Sequence, residues 1–182
     1  SQRTGNAFTH NIWLSDDGQY AFTTDERANA FVEAYKITDL NNITMVDKYR
    51  SQTTRVRNTI PHNTHYHKGF LFTSYYTDGF TIVDANKPDH LVEVAAFDTY
   101  KAGDGDFHGC WGVYPYLPSG NILASDIEFG LFVIKPVLSK ASYLSGTIID
   151  SITNKPISNA RIKMSAPSYV EVLSNTNGKF KS

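Results

Sequence analysis

Three histidines open similar stretches of this chain. His10 begins HNIWLSDDGQYAFTTDE, His62 begins HNTHYHKGFLFTSYY, and His108 begins HGCWGVYPYLPSGNILASD. Neutral imidazoles on converging strands suit a transition metal, which makes His10, His62 and His108 a candidate ligand set. The same rings also suit a structural role. In that reading each bonds a neighbouring turn, with Asp25 and Asp126, near the ends of the following strands, as partners. The second copy carries Tyr75 and Tyr76 where the others carry Asp, which breaks strict repetition of either arrangement. His65 and His67 lie close to His62 in the spacing H-x-x-H-x-H. A strand places residues 65 and 67 on one face and 62 on the other, so this segment does not make a three-ligand site alone.

Other residues invite chemistry of a different kind. Gly103-Asp104-Gly105-Asp106 puts two carboxylates one residue apart, a candidate cation loop for Ca²⁺ or a plain surface turn. Calcium takes about six to eight oxygens, and the further acidic positions of an EF-hand do not follow Asp104 and Asp106. Trp13, Phe107, Trp111, Tyr114 and Tyr116 form an aromatic set that serves either as packing between sheets or as a mouth that stacks on a sugar or peptide. There is no phosphate loop, no G-x-S-x-G elbow, no H-E-x-x-H and no cysteine-rich zinc pattern.

The elements that must position these residues repeat. Gly18, Gly69 and Gly120 recur at intervals of 51 residues, and the three histidines at intervals of 52 and 46. The first copy reads as strands at Asn11–Leu14, Tyr20–Thr24, Val32–Ile37 and Ile43–Tyr49. The second reads as Thr64–Tyr66, Phe70–Tyr75, Phe80–Val83 and Leu91–Phe97. The third includes Ile122–Ala124 and Leu131–Ile134. Asp-Gly at 17–18 and 78–79 and Ser-Gly at 119–120 supply tight turns. Up to four antiparallel strands in a unit of roughly 45–50 residues is the pattern of a β-propeller blade.

Composition sets the outer limits. Of 182 residues, 41% are hydrophobic and 13% aromatic, enough for a packed core. Eleven Tyr and eleven Phe favour strands. With 17 basic against 18 acidic residues, binding to nucleic acid through counterion release is not expected. The small cluster Lys48, Arg50, Arg55 and Arg57 reads as a solvated loop face. The single cysteine, Cys110, reads as a buried small side chain and allows no internal disulfide. No apolar run approaches about 20 residues, so no membrane-spanning helix is expected.

Residues 8 to 136 resemble the LVIVD-repeat propellers of the choice-of-anchor B family. The likeness rests on the HN opening with Trp or His, on FTIVDA at Phe80–Ala85, and on WGVYPYLPSGNILASD at Trp111–Asp126. It implies a secreted, surface-displayed bacterial protein, exported by a dedicated outer-membrane route of the type IX class. Asp150-Ser151-Ile152 also resembles the short O-glycosylation pattern of secreted Bacteroidetes proteins. A propeller needs at least about four blades to close, and the chain opens on Ser-Gln-Arg close to a strand. The expectation is therefore a trimmed piece of a longer protein.

After Pro136 the composition shifts. Residues 138–142 read as a linker. Tyr143–Asp150, Ala160–Met164 and Val170–Leu173 then read as strands, with turns at Asn154-Lys155-Pro156 and Thr176-Asn177-Gly178 before Lys179-Phe180. The order SGTIID…NKPISNARIKM…TNGKF resembles the carboxypeptidase regulatory-like domain, a transthyretin-like sandwich without catalytic residues, here lacking its last strands. The expected fold is all-β: a partial propeller of about three four-stranded blades over 1–137, a linker, and an incomplete β-sandwich over 143–182. The expected function is a non-enzymatic binding or adhesion module, with a protein or glycan at the cell surface as partner. The alternative is a metal-dependent oxidoreductase or hydrolase with a histidine ring in the propeller channel.

Overall fold

The computed structural model describes residues 1–51, 58–164 and 170–182. Fifteen strands and no helix occur among these residues, and every pairing is antiparallel. The chain divides into two compact units, Ser1–Ala141 and Ser142–Ser182.

The first unit holds three sheets, each a meander in chain order. The first contains β1 (Thr9–Leu14), β2 (Tyr20–Asp25), β3 (Val32–Lys36) and β4 (Thr44–Tyr49). The second contains β5 (Thr64–His67), β6 (Phe70–Ser74), β7 (Phe80–Asp84) and β8 (Val92–Phe97). The third contains β9 (Cys110–Tyr114), β10 (Ile122–Asp126) and β11 (Gly130–Ile134). A four-stranded third unit was expected; among the described residues this sheet has three. The first strands of the three sheets touch in sequence, β1 against β5 and β5 against β9.

The burial of each strand follows from its place in this stack. The second sheet lies between the other two, so β6 and β7 are covered on both faces and read as continuous apolar runs. Its alternating side chains are shared between two cores. Leu71 and Val83, paired across the strands, join Phe22, Val32, Ala34 and Tyr49 of the first sheet. Phe72 and Ile82, the next pair along, join Cys110, Val113, Ile122 and Ala124 of the third. Outer strands are more open: Leu131 and Val133 of β11 are mostly exposed.

Polar groups inside the unit are paired across the sheets. The Thr24 hydroxyl donates to the His62 carbonyl at 2.5 Å. The Thr64 amide donates to Asn11 Oδ1 at 2.9 Å. Each bond joins a first-sheet residue to the start of the second sheet, so the sheets are held in register and not merely by apolar contact. The loop at residues 75–79 is equally constrained. Gly79 has φ +70°, and a Cβ there would lie 2.1 Å from the Phe97 carbonyl oxygen.

Two of the three first strands are irregular at their starts. In β1 the register skips between Thr9 and Asn11, which leaves His10 as an extra, unpaired residue. In β9 the partner of Ser125 is Gly112 and that of Asp126 is Cys110, which leaves Trp111 unpaired. A bulge of this kind bends the strand and re-aims the side chain it carries.

The second unit is smaller. β12 (Ser145–Thr147) pairs with β15 (Lys179–Lys181), and β13 (Arg161–Met164) pairs with β14 (Val170–Leu173). The strand expected over Tyr143–Asp150 is shorter. The Asp150 carboxylate accepts from the Ile152 and Thr153 amides, and this tight turn ends extended pairing soon after Thr147, save for one bridge between Ile149 and Pro156.

Candidate functional site

His10 stands on the β1 bulge and His62 lies two residues before β5. Their rings stack with centroids 4.6 Å apart. Between them sits Glu26, the residue directly after β2. Its Oε2 lies 3.2 Å from His10 Nδ1, and its Oε1 lies 3.5 Å from His62 Nε2. The Tyr76 hydroxyl, just past β6, donates to Glu26 Oε1 at 2.5 Å. On the far side, His62 Nδ1 meets the Trp111 backbone carbonyl at 2.5 Å. Each group therefore stands at the same end of its sheet, at the start of a first strand or just past the end of a second.

The tautomer of His62 follows from this contact. A carbonyl oxygen only accepts, so Nδ1 carries a proton; the Asn63 side-chain amide lies 3.1 Å from the same nitrogen. His62 is buried, and burial pushes its pKa below the ordinary histidine value, partly offset by the Trp111 bond and the Glu26 charge. The Tyr76 phenol is pushed upward, chiefly by burial and then by Glu26, so it stays a donor.

Of the three histidines singled out in the sequence, the structure brings two together. His108 is separate. Its Nδ1 lies 2.5 Å from Glu128 Oε1, its ring stacks on Tyr100, and the Glu128 carboxylate also accepts from the Gly109 amide. The expected partners Asp25 and Asp126 are engaged elsewhere. Asp25 accepts from the Asn6 amide at 2.6 Å. Asp126 accepts from the Glu128 and Phe129 amides and the Thr99 hydroxyl. Asp126 closes its own turn and Asp25 ties down the Asn6 amide, and the longer glutamates beyond them reach the rings. The missed residues are therefore Glu26, Tyr76 and the Trp111 carbonyl. A signal did exist: an acidic residue follows the strand-ending aspartate by one position in the first copy and by two in the third.

Asp104 and Asp106 lie exposed on their loop, where the Gly105 amide donates to Thr77 Oγ1 at 3.1 Å. Among the described residues, His10, Glu26 and His62 are the only three His, Cys, Asp or Glu side chains whose ligand atoms converge, and neither aspartate joins them. In the basic cluster, Lys48 and Arg50 both lie over the Phe31 ring, while Arg55 and Arg57 fall outside the described residues. Cys110 is fully buried, and burial followed by the Asp126 charge pushes its thiol up to about 12.

A second group lies further along the same first strands. Trp13 of β1 packs against His65 of β5 at 4.7 Å and stacks on Tyr116 at 5.9 Å. Tyr114, His65 and His67 also meet the Tyr116 ring. The alternation expected of β5 thus holds, with His65 and His67 on one face. The Tyr116 hydroxyl donates to the Tyr66 carbonyl at 2.9 Å, which fixes the ring. Tyr116 also lines a cleft of about 300 Å³ with His67, Lys68, Phe70, Pro136 and Leu138. Trp13 is 37% and Tyr114 48% exposed, so this aromatic group faces solvent rather than filling a core.

Comparison with protein-family models, with curated proteins and with solved structures gave no match. No helix among the described residues is long and apolar enough to cross a membrane.

Proposed function

We propose that this chain is a binding module that recognises a glycan. The observation that carries this reading is the group of exposed Trp13 and Tyr114 with half-buried Tyr116, beside a cleft of about 300 Å³. Flat aromatic faces stack on the apolar faces of sugar rings, while His65, His67 and Lys68 supply polar groups that fix orientation. Such a combination of wide apolar contact and few polar anchors suits a saccharide unit better than an extended peptide strand, which needs a free sheet edge.

The three meanders, with first strands in contact and glycine turns at matching places, support reading them as blades of a β-propeller of the LVIVD-repeat kind. The second unit is then the start of a carboxypeptidase regulatory-like sandwich. With these resemblances comes a bacterial cell-surface or extracellular location and export by an outer-membrane secretion apparatus.

A glycan array followed by calorimetric titration of the best binder tests the function. Trp13→Ala and Tyr116→Ala are expected to weaken binding about tenfold or more, in line with loss of a stacking anchor. Tyr116→Phe keeps the ring and is expected to retain most of the affinity. An array without any binder, or affinity indifferent to both alanine variants, sinks the reading.

A further inference from the structure

We propose that His10, Glu26 and His62 form a binding site for a divalent first-row metal ion, zinc(II) above all, with one coordination position left open. This site lies at the other end of the first strands from the aromatic cleft and does not rest on glycan recognition.

Four observations converge on it. The donor set is two imidazoles and one carboxylate, a set that zinc and other first-row ions take. The spacing fits. Bonds of about 2.0–2.1 Å put neighbouring ligands of a tetrahedral ion roughly 3.3–3.4 Å apart. Here His10 Nδ1 lies 3.2 Å from Glu26 Oε2 and His62 Nε2 lies 3.5 Å from Glu26 Oε1, and one ligand atom from each of the three residues falls within 4.8 Å of the others.

The supporting shell is also in place. Histidine ligands commonly donate their second ring N–H to a carbonyl or carboxylate, which fixes the tautomer and strengthens the ligand nitrogen. His62 does so to the Trp111 carbonyl, and its Nε2 faces Glu26 Oε1 at 3.5 Å. The Tyr76 hydroxyl donates to Glu26 Oε1, the oxygen that faces His62, and so steadies the carboxylate.

Backbone irregularity supplies the fourth observation. His10, a ligand, and Trp111, whose carbonyl orients another, are the two residues left unpaired by bulges in β1 and β9. Bulges concentrate where a strand must re-aim a group at a site. Ser125, Asp126 and their partners would pair without interruption if Trp111 were absent, so the third sheet gives up regularity just where it supports His62. Three protein ligands leave a tetrahedral ion one position for water or a ligand atom, and the partly exposed His10 side provides the approach.

The test uses the full chain, stripped with chelator and titrated with cobalt(II), whose visible absorption reports tetrahedral coordination. One cobalt per chain, displaced by zinc(II), is expected. Glu26→Gln and His10→Ala should weaken cobalt binding at least about tenfold, and Tyr76→Phe should weaken it by a similar factor through the carboxylate it steadies. His108→Ala and His65→Gln should leave it unchanged. Because buried variants can misfold, ring-proton NMR of the wild-type chain serves as an independent readout: zinc(II) should shift the His10 and His62 resonances and leave His108 in place. A wild-type chain that takes up no cobalt, or that binds it equally well as Glu26→Gln, overturns the proposal.

Discussion

The two acid–histidine contacts look alike in sequence and differ in what surrounds them. His62 is enclosed by His10, Tyr76 and Trp111, whereas His108 pairs with Glu128 at an exposed edge. The Glu128 carboxyl is held below its ordinary value, first by the His108 hydrogen bond and then by the Gly109 amide. A carboxylate lowered in this way stabilises the fold above its unfolded pKa, and that contribution disappears as pH falls through the folded value. Carbon-detected NMR should therefore place the Glu128 midpoint below that of an ordinary glutamate, and His108→Ala should move it upward. Cys110 shifts the other way. Its thiol is raised, so its contribution is complete below the ordinary thiol value of about 8.5 and is lost as pH climbs toward the folded value. Iodoacetamide at pH 8 should leave the native chain unmodified and label it fully in denaturant; rapid labelling of the folded protein would contradict the burial described above. At this scale the sequence singled out His10, His62 and His108; the structure brings the first two together and not the third, and their partners were not legible. Asp25 and Asp126 were the natural choice because they recur at strand ends, yet Asp126 bonds the amides of its own turn and Asp25 the distant Asn6 amide.

Among elements, the legible part was the strands themselves. Short apolar runs separated by turn residues located β1 to β8 to within a residue or two. The bulges at His10 and Trp111 were not legible: Gly112 follows Trp111 but no glycine adjoins His10, so the two share no local residue signature. The Tyr143–Asp150 strand shortened because the Asp150 turn overrides its alternation. Placement in the stack also governs cost. Ile82→Ala opens the core shared with the third sheet and should lower stability by about 3–4 kcal/mol in urea unfolding. Leu131→Ala, on a strand whose side chain is mostly exposed, should cost less than about 1 kcal/mol. Gly79→Ala should be severe, about 2–4 kcal/mol, because it combines a left-handed φ with a clash against the Phe97 carbonyl. A Gly79→Ala protein with an unchanged urea midpoint would mean that the loop accommodates a side chain its backbone geometry forbids.

At the level of the molecule, the near balance of 17 basic and 18 acidic residues leaves no net field to draw in a polyanion, so specificity falls to local surfaces. The first unit has its own two apolar clusters, drawn wholly from residues before Ala141. Residues 1–141 expressed alone should therefore give a dispersed NMR spectrum and a cooperative melt. The order of strands has a further consequence, in the time domain. Every strand of this unit pairs with its neighbour in sequence, so hairpins can close as soon as they leave the ribosome. Burial, however, lags behind pairing. Phe22 and Val32 stay bare until Leu71 and Val83 have been synthesised, and Phe72 and Ile82 wait for Val113 and Ile122. The nascent chain thus always carries one uncovered apolar face at its growing end. Each newly made sheet closes that face and opens the next, so a pause in translation between Phe97 and Cys110 is the moment of greatest exposure to chaperones.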